Sequence, residues 1–185
     1  MSGPDPSTAQ GLISAEHSAL AAPRPQPQLL LTPLAVADAA ELAPVLADPR
    51  LYEHTGGAPP TLEQLRTRFE RLEQRRSPDG RELWLNWTLR LRSSGEAIGY
   101  AQATVRSGNI ATIAYVIGTP WRGRGHASEA ARATVEMLRD AGVGAIRATI
   151  ASSHVASRRV AARAGLRLTA ELTPDGEEVW ALPMG

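Results

Sequence analysis

The chain has 185 residues, a formal net charge of +1 and no cysteine. That length suits one domain, by the prior of roughly 100–200 residues per domain, and the lack of thiols excludes disulfides, a thiolate nucleophile and zinc-thiolate centres. The near-neutral charge gives no overall pull toward nucleic acid, although a local basic patch stays open.

No apolar stretch approaches the roughly 20 residues that cross a bilayer. Residues 11–22 are mildly apolar but follow no basic region and contain Glu16 and His17. No signal peptide is read, and a cytoplasmic protein without membrane partners is expected. Residues 1–28 are rich in Pro, Ser, Ala and Gln, with Pro4, Pro6, Pro23, Pro25 and Pro27. Such a segment buries too little to offset its ordering entropy, so a flexible tail is expected, with a short helix possible over 13–22. The folded domain is expected over 29–183.

Leu29 to Leu34 reads as a strand. Asp38 can cap a helix from Ala39 to Ala47, which Asp48-Pro49 ends. Thr61 and Gln64 have capping-box spacing and open a helix from Leu62 to about Arg76, with Leu62, Leu65, Phe69 and Leu72 on one face. Glu82 to Arg92 alternates, placing Leu83, Leu85, Trp87, Leu89 and Leu91 opposite Trp84, Asn86, Thr88 and Arg90. Two further strands, Ala97–Val105 and Ile110–Ile117, follow tight glycine turns and make an antiparallel meander. A helix leads from His126 to a stop at Gly142 and Gly144. Ala145–Ile150 is then a strand, parallel to the Ile110–Ile117 strand because a helical crossover joins them. Ser152 or Ser153 can cap a helix ending at Gly165, and a hairpin around Thr173-Pro174-Asp175-Gly176 closes the domain.

The informative stretch is the turn after Ile117. Gly123 and Gly125 lack the Cβ atoms that would hold a ligand away from backbone amides. The following helix brings unpaired first-turn N–H groups and its positive dipole end to the same spot, and Arg122 and Arg124 add charge. This is a phosphate cradle in outline. It is not a P-loop, because His126-Ala127 stands where Lys-Ser/Thr is needed. It is not the dinucleotide fingerprint either, because position 128 is Ser.

Arg122-x-x-Gly125-x-Ala127 resembles motif A, Q/R-x-x-G-x-G/A, of the GCN5-related N-acetyltransferase (GNAT) superfamily. The order of elements from Leu29 to Leu182 resembles the same family. The resemblance implies an α/β (α+β) fold with a mixed sheet of about seven strands, an antiparallel meander, a splayed parallel pair, and helices on both faces. It implies acetyl-CoA or another acyl-CoA as acyl donor, with no metal, and an amine acceptor that attacks the thioester directly in a ternary complex. The pyrophosphate would lie on Arg122, Gly123, Arg124, Gly125, His126, Ala127 and Ser128. The pantetheine arm would run along Tyr115, Val116 and Ile117, with backbone N–H groups near Tyr115 and Val116 as oxyanion donors.

A second segment, His154 to Leu166, resembles the family's N-x-x-S/A-x7-G-F pattern, nearest to the branch of ribosomal-protein N-terminal acetyltransferases through Ser157. It departs at three places: His154 replaces Asn, Leu166 replaces Phe, and Ala162 stands where many members have the tyrosine that protonates the departing thiolate. Ser157 and His154 are the substitutes by position, His154 having the pKa better suited to proton transfer. Both also belong to the expected coenzyme site. Glu53 is the first candidate for the base, since apolar neighbours such as Leu51 and Tyr52 could raise its pKa, with Glu82 and Glu96 behind it. Glu53, His54, Trp84 and Asn86 form the expected acceptor wall. Three readings stay open: an N-acyltransferase acting on a primary amine, a related enzyme taking its acyl group from a carrier protein or an aminoacyl-tRNA, and a module that binds coenzyme A or a partner without turnover. Either a monomer or a homodimer is compatible.

Overall fold

The computed structural model describes residues 24–25, 28–54 and 56–183. Of the expected tail over 1–28, residues 1–23 and the short helix lie outside the described residues, whereas Arg24–Pro25 pair with the first strand and the Gln28 N–H is held by Glu129. All seven expected strands form: β1 (Leu29–Pro33), β2 (Leu83–Leu91), β3 (Ala97–Arg106), β4 (Ile110–Ile117), β5 (Ala145–Ile150), β6 (Arg167–Leu172) and β7 (Glu178–Ala181). A two-residue strand, Arg24–Pro25, adds to the free edge of β1. From that edge the sheet runs β1-β2-β3-β4-β5-β7-β6. Among the described pairs only β4 and β5 are parallel. This is the mixed sheet with one parallel pair that the resemblance implies.

Among the described residues four α-helices flank it: α1 (Ala39–Val45), α2 (Leu62–Glu73), α3 (His126–Asp140) and α4 (Val155–Arg163). One core cluster joins α1 and α2 to the sheet through Leu42, Leu46, Leu65 and Phe69. The larger cluster packs α3 against the opposite face, where Leu31, Leu85, Trp87, Ile98 and Leu138 are fully buried. The alternation read along β2 is thus what divides the molecule into two layers.

Three local expectations are corrected. Asp38 precedes α1 without capping it. Its carboxylate instead accepts from the Ala35 N–H (2.9 Å) and the Thr88 hydroxyl (2.6 Å) and pairs with Arg90 (2.6 Å), because a buried carboxylate must be fully partnered. Helix α2 stops at Glu73 rather than Arg76. Arg75 turns left-handed (φ 55°), and Arg76 is drawn into a bridge with Leu83. The cap of α4 is neither Ser152 nor Ser153 but His154, whose Nδ1 accepts from the Ser157 N–H at 3.1 Å. The Thr61–Gln64 capping box forms as read.

A contact without a local signal ties the first strand to α3. The buried Glu129 accepts from the N–H groups of Gln28 and Leu29, both at 2.9 Å. Glu129→Ala would leave two amides without acceptors, at about 1–3 kcal/mol each where water cannot replace the carboxylate. The expected result is a clear drop in the urea midpoint of unfolding with an unchanged slope, and an unchanged midpoint would refute the role.

Candidate active site

The β4–β5 pairing lasts for three residue pairs, Ile110 with Ala145, Ala111 with Ile146 and Thr112 with Arg147. Beyond Thr112, β4 continues to Ile117 paired with β3 on its other side, while β5 continues paired with β7. The sheet therefore opens beside Ile113 to Ile117. The parallel direction of the pair follows from α3, the crossover helix that joins β4 to β5.

Gly118, Thr119, Pro120 and Trp121 carry the chain from the splay to the loop, Thr119–Trp121 being a 3-10 turn. Gly123 (φ 78°) and Gly125 (φ 88°) are both left-handed, and a Cβ at either would meet nothing within 4 Å. The cradle is open on the side a ligand would fill. The first backbone bond of α3 runs from the Glu129 N–H to the Gly125 carbonyl at 3.0 Å. The N–H groups of Gly125, His126, Ala127 and Ser128 consequently have no acceptor within the helix. Arg122 and Arg124 are exposed and form no ion pair among the described residues. Two open glycines, free first-turn amides and two available guanidinium groups fit the pyrophosphate of an acyl-CoA. The His126 ring is buried, so this residue offers the cradle its amide and not its imidazole.

Across the splay stands the first turn of α4. The Tyr115 hydroxyl donates to the Ser157 carbonyl at 3.1 Å, and burial pushes the phenol up to about 12. Tyr115 thus tethers α4 to β4, a role for its side chain that the strand pattern did not suggest. His154 caps the same turn. With Nδ1 accepting from the Ser157 N–H, the neutral ring carries its proton on Nε2, 3.4 Å from Ser157 Oγ. Burial, and then the neighbouring His54 and Arg122, hold the His154 pKa below its ordinary value of 6.5.

His54 comes from the loop between α1 and α2. Its ring centroid lies 4.1 Å from that of His154, and its Nδ1 is 3.4 Å from Ser153 Oγ. The structure therefore gathers His54, His154 and Ser157 at one wall of the opening, with Arg122 near enough to act on His154 electrostatically. It does not gather the rest. Glu53 is exposed, without the apolar enclosure that recommended it as a base. Glu82 is held by Trp84 (2.8 Å) and Arg106 (2.7 Å), and these partners lower its pKa. Glu96 lies in an exposed turn. Trp84 pairs through Thr104 with Thr112, at the closed end of the sheet. That is four residues, or roughly 13 Å, from the row through Thr88, Tyr100 and Val116 at the open end. Asn86 lies between the two rows, beside Leu34 and Leu72.

One positioning residue had a legible signal. Gly99 interrupts a strand pattern, which marks a bulge or a close approach. The β2–β3 register shifts beside it, and a Cβ at Gly99 would collide with the Val116 carbonyl. Gly99→Ala must therefore push the end of β4 away from β3. We expect at least a tenfold loss of turnover with smaller loss of coenzyme affinity, because the loop glycines stay in place; wild-type kinetics would refute it.

A family model for the GNAT acetyltransferase domain matches residues 28–167. The chain belongs to the GNAT acetyltransferase family. Among solved structures, the GNAT domain resembles AAC(6′)-Ib in complex with paromomycin and acetyl-CoA, with 25% identity, TM-score 0.69, and 85% of this chain and 93% of that chain covered. A GNAT-family acetyltransferase from Bacillus anthracis shares the fold at 18% identity and TM-score 0.71, covering 86% of this chain and 96% of its own. The aminoglycoside acetyltransferase AAC(6′)-Ib in complex with coenzyme A does so at 24% identity and TM-score 0.68, covering 84% and 94%. Against curated protein sequences no significant match is found. No helix among the described residues is long and apolar enough to cross a membrane.

Proposed function

We propose that this GNAT domain is an N-acetyltransferase that uses acetyl-CoA to acetylate a primary amine in a ternary complex. The observation that carries the reading is the open glycine cradle at Arg122–Ser128 facing a splayed strand, with His54, His154 and Ser157 gathered at the splay. The solved relative that holds acetyl-CoA together with an aminoglycoside supports both the donor and the amine. The likeness of His154–Leu166 to the ribosomal-protein N-terminal acetyltransferases supports an acceptor amine next to a carbonyl carbon.

Acetyl-CoA supplies a thioester whose acyl group an amine can displace. The work left to the chain is to bind, to orient and to manage protons. Arg122, Arg124 and the first-turn amides of α3 hold the phosphates, and the N–H groups of Tyr115–Ile117 that face away from β3 stabilise charge developing on the carbonyl oxygen. His54 is exposed at the acceptor wall, where a proton taken from the amine can pass to water. We place the base at His54 and not at Glu53, equally exposed, because the His54 ring meets His154 at the opening. Neutral His154 donates from Nε2 to Ser157 Oγ and so turns the Ser157 hydroxyl to donate toward the sulfur that departs. This is hydrogen-bond support in place of the tyrosine absent at Ala162.

A thiol-release assay with acetyl-CoA and a panel of amines, with mass analysis of the products, tests the reading. Thiol release matched by an N-acetylated amine is expected. Coenzyme binding without release with any amine would favour the non-catalytic module.

A further inference from the structure

Resting on the acyl-transfer reading, the inference concerns what the acceptor carries besides its amine. On the α2 side of the sheet, Arg68 projects into the space between α2 and β3 and is half-buried. Its guanidinium lies 5.3 Å from the centroid of the Tyr100 ring. Its hydrogen bonds are both at the 3.5 Å limit, to the Tyr100 hydroxyl and to Gln102 Oε1. Neither partner is charged, and no carboxylate lies within ion-pair distance among the described residues.

Asp38 and Glu41 pair with Arg90, and Glu73 accepts from the Val36 N–H at 2.6 Å. A half-buried guanidinium with only weak neutral partners lacks the planar, bidentate anion that suits it.

Its place ties it to the reaction. Tyr100 pairs across the ladder with Val116, at the splayed end of β4, and both side chains pack on the same cluster with Leu51. Tyr52, two residues before His54, lies close enough for Arg68 and Tyr100 to act on its phenol electrostatically. Arg68 and His54 therefore border the same acceptor space from two elements. Arg122, on the donor side, adds a further positive charge.

We propose that Arg68 binds the carboxylate of the acceptor, so that the enzyme acetylates a small amino acid and not a polycation. His54 then faces the amine while Arg68 and Tyr100 hold the carboxylate, which fixes the amine in line with the thioester at Val116.

The test compares free α-amino acids with their own primary amides, and with an aminoglycoside, in wild type and Arg68→Gln. At least one amino acid should be used about tenfold or more better than its amide in kcat/KM. Arg68→Gln should raise KM for that amino acid about 10- to 100-fold, leave the amide unchanged, and leave coenzyme A affinity unchanged. Arg68→Lys should fall between, since it keeps the charge and loses the fork. Equal use of acid and amide, better use of the aminoglycoside, or a preference that survives Arg68→Gln would overturn the proposal. If no amine is acetylated, calorimetry with the N-acetyl amino acids in the presence of coenzyme A decides separately. Binding that Arg68→Gln removes keeps the carboxylate site while the transfer reading falls, and no binding removes the site as well.

Discussion

Gly125→Val should weaken coenzyme A binding by about 100-fold or more while the protein stays folded. Gly125 is the cap of α3 and sits at φ 88°, with nothing within 4 Å of where its Cβ would be. An isopropyl group placed there occupies the cradle and holds a phosphate off the amides of His126, Ala127 and Ser128. Charge-assisted hydrogen bonds are worth about 1.5–3 kcal/mol each, so losing two accounts for the size of the effect. The backbone adds a smaller cost, since a β-branched residue in the left-handed region is strained by roughly 1–2 kcal/mol. A domain stabilised by about 5–15 kcal/mol survives that. Arg122→Gln is the control without strain and should weaken binding about tenfold, with a shallower dependence on salt. Unchanged affinity by calorimetry in both variants would refute the pyrophosphate assignment.

His154→Ala should lower kcat by about 100-fold, the scale expected when a group that orients a proton donor is lost. The substitution removes the cap on the Ser157 N–H and frees the Ser157 hydroxyl to rotate. It should also cost about 1 kcal/mol of stability as a lost helix cap. His154→Asn, which keeps a capping side chain, should recover the stability but only part of the rate, because it lacks the second nitrogen. Recovery of the full rate would reduce His154 to a helix cap.

The same residue fixes a pH dependence and its sign. His154 is depressed below 6.5 in the folded state, so the unfolded chain binds the proton more readily. Its contribution to stability is complete above pH 6.5 and is lost as pH falls toward the depressed folded pKa. Protonated Nδ1 can no longer accept from the Ser157 N–H, so kcat should fall as pH drops through the depressed folded pKa. A proton on His54 opposes one on His154 across 4.1 Å. His54→Gln should therefore raise the His154 pKa, read by NMR titration of the His154 ring, and an unmoved titration would contradict the coupling of the two rings.

What could be read from the residues was what depends on neighbours in sequence. The alternation of Leu83 to Leu91, the capping box at Thr61, and the strand-turn-helix around Gly123 and Gly125 each carry their signal within a few positions, and each is present as read. The errors fall where a distant partner decides. Asp38 has the type and place of a helix cap, yet Thr88 and Arg90 take its carboxylate from 50 and 52 positions away. Ser152 and Ser153 are better caps by type than His154, but it is His154 that lies beside Ser157 and under His54.

The site divides in the same way. The loop proposed to hold the phosphates is contiguous in sequence, so its left-handed glycines and the start of α3 could be read directly. The acceptor side proposed here draws on β3, α2, α4 and the loop after α1, so neither the His54–His154 contact nor the Arg68–Tyr100 pair has a sequence pattern. Trp84 drew attention as an aromatic on the polar face of a strand. Register then puts it at the closed end of the sheet, and that register is set by the turns joining β2 to β3 and β3 to β4 and not by the Trp84 segment itself.

The most direct test of the account is a calorimetric titration of the full chain with acetyl-CoA. The account predicts saturable one-to-one binding that weakens with salt and raises the apparent melting temperature, since a ligand bound only by the native state stabilises it. Absence of both heat and thermal shift at millimolar acetyl-CoA would contradict it, because an open cradle of free amides and two free arginines would then hold no coenzyme.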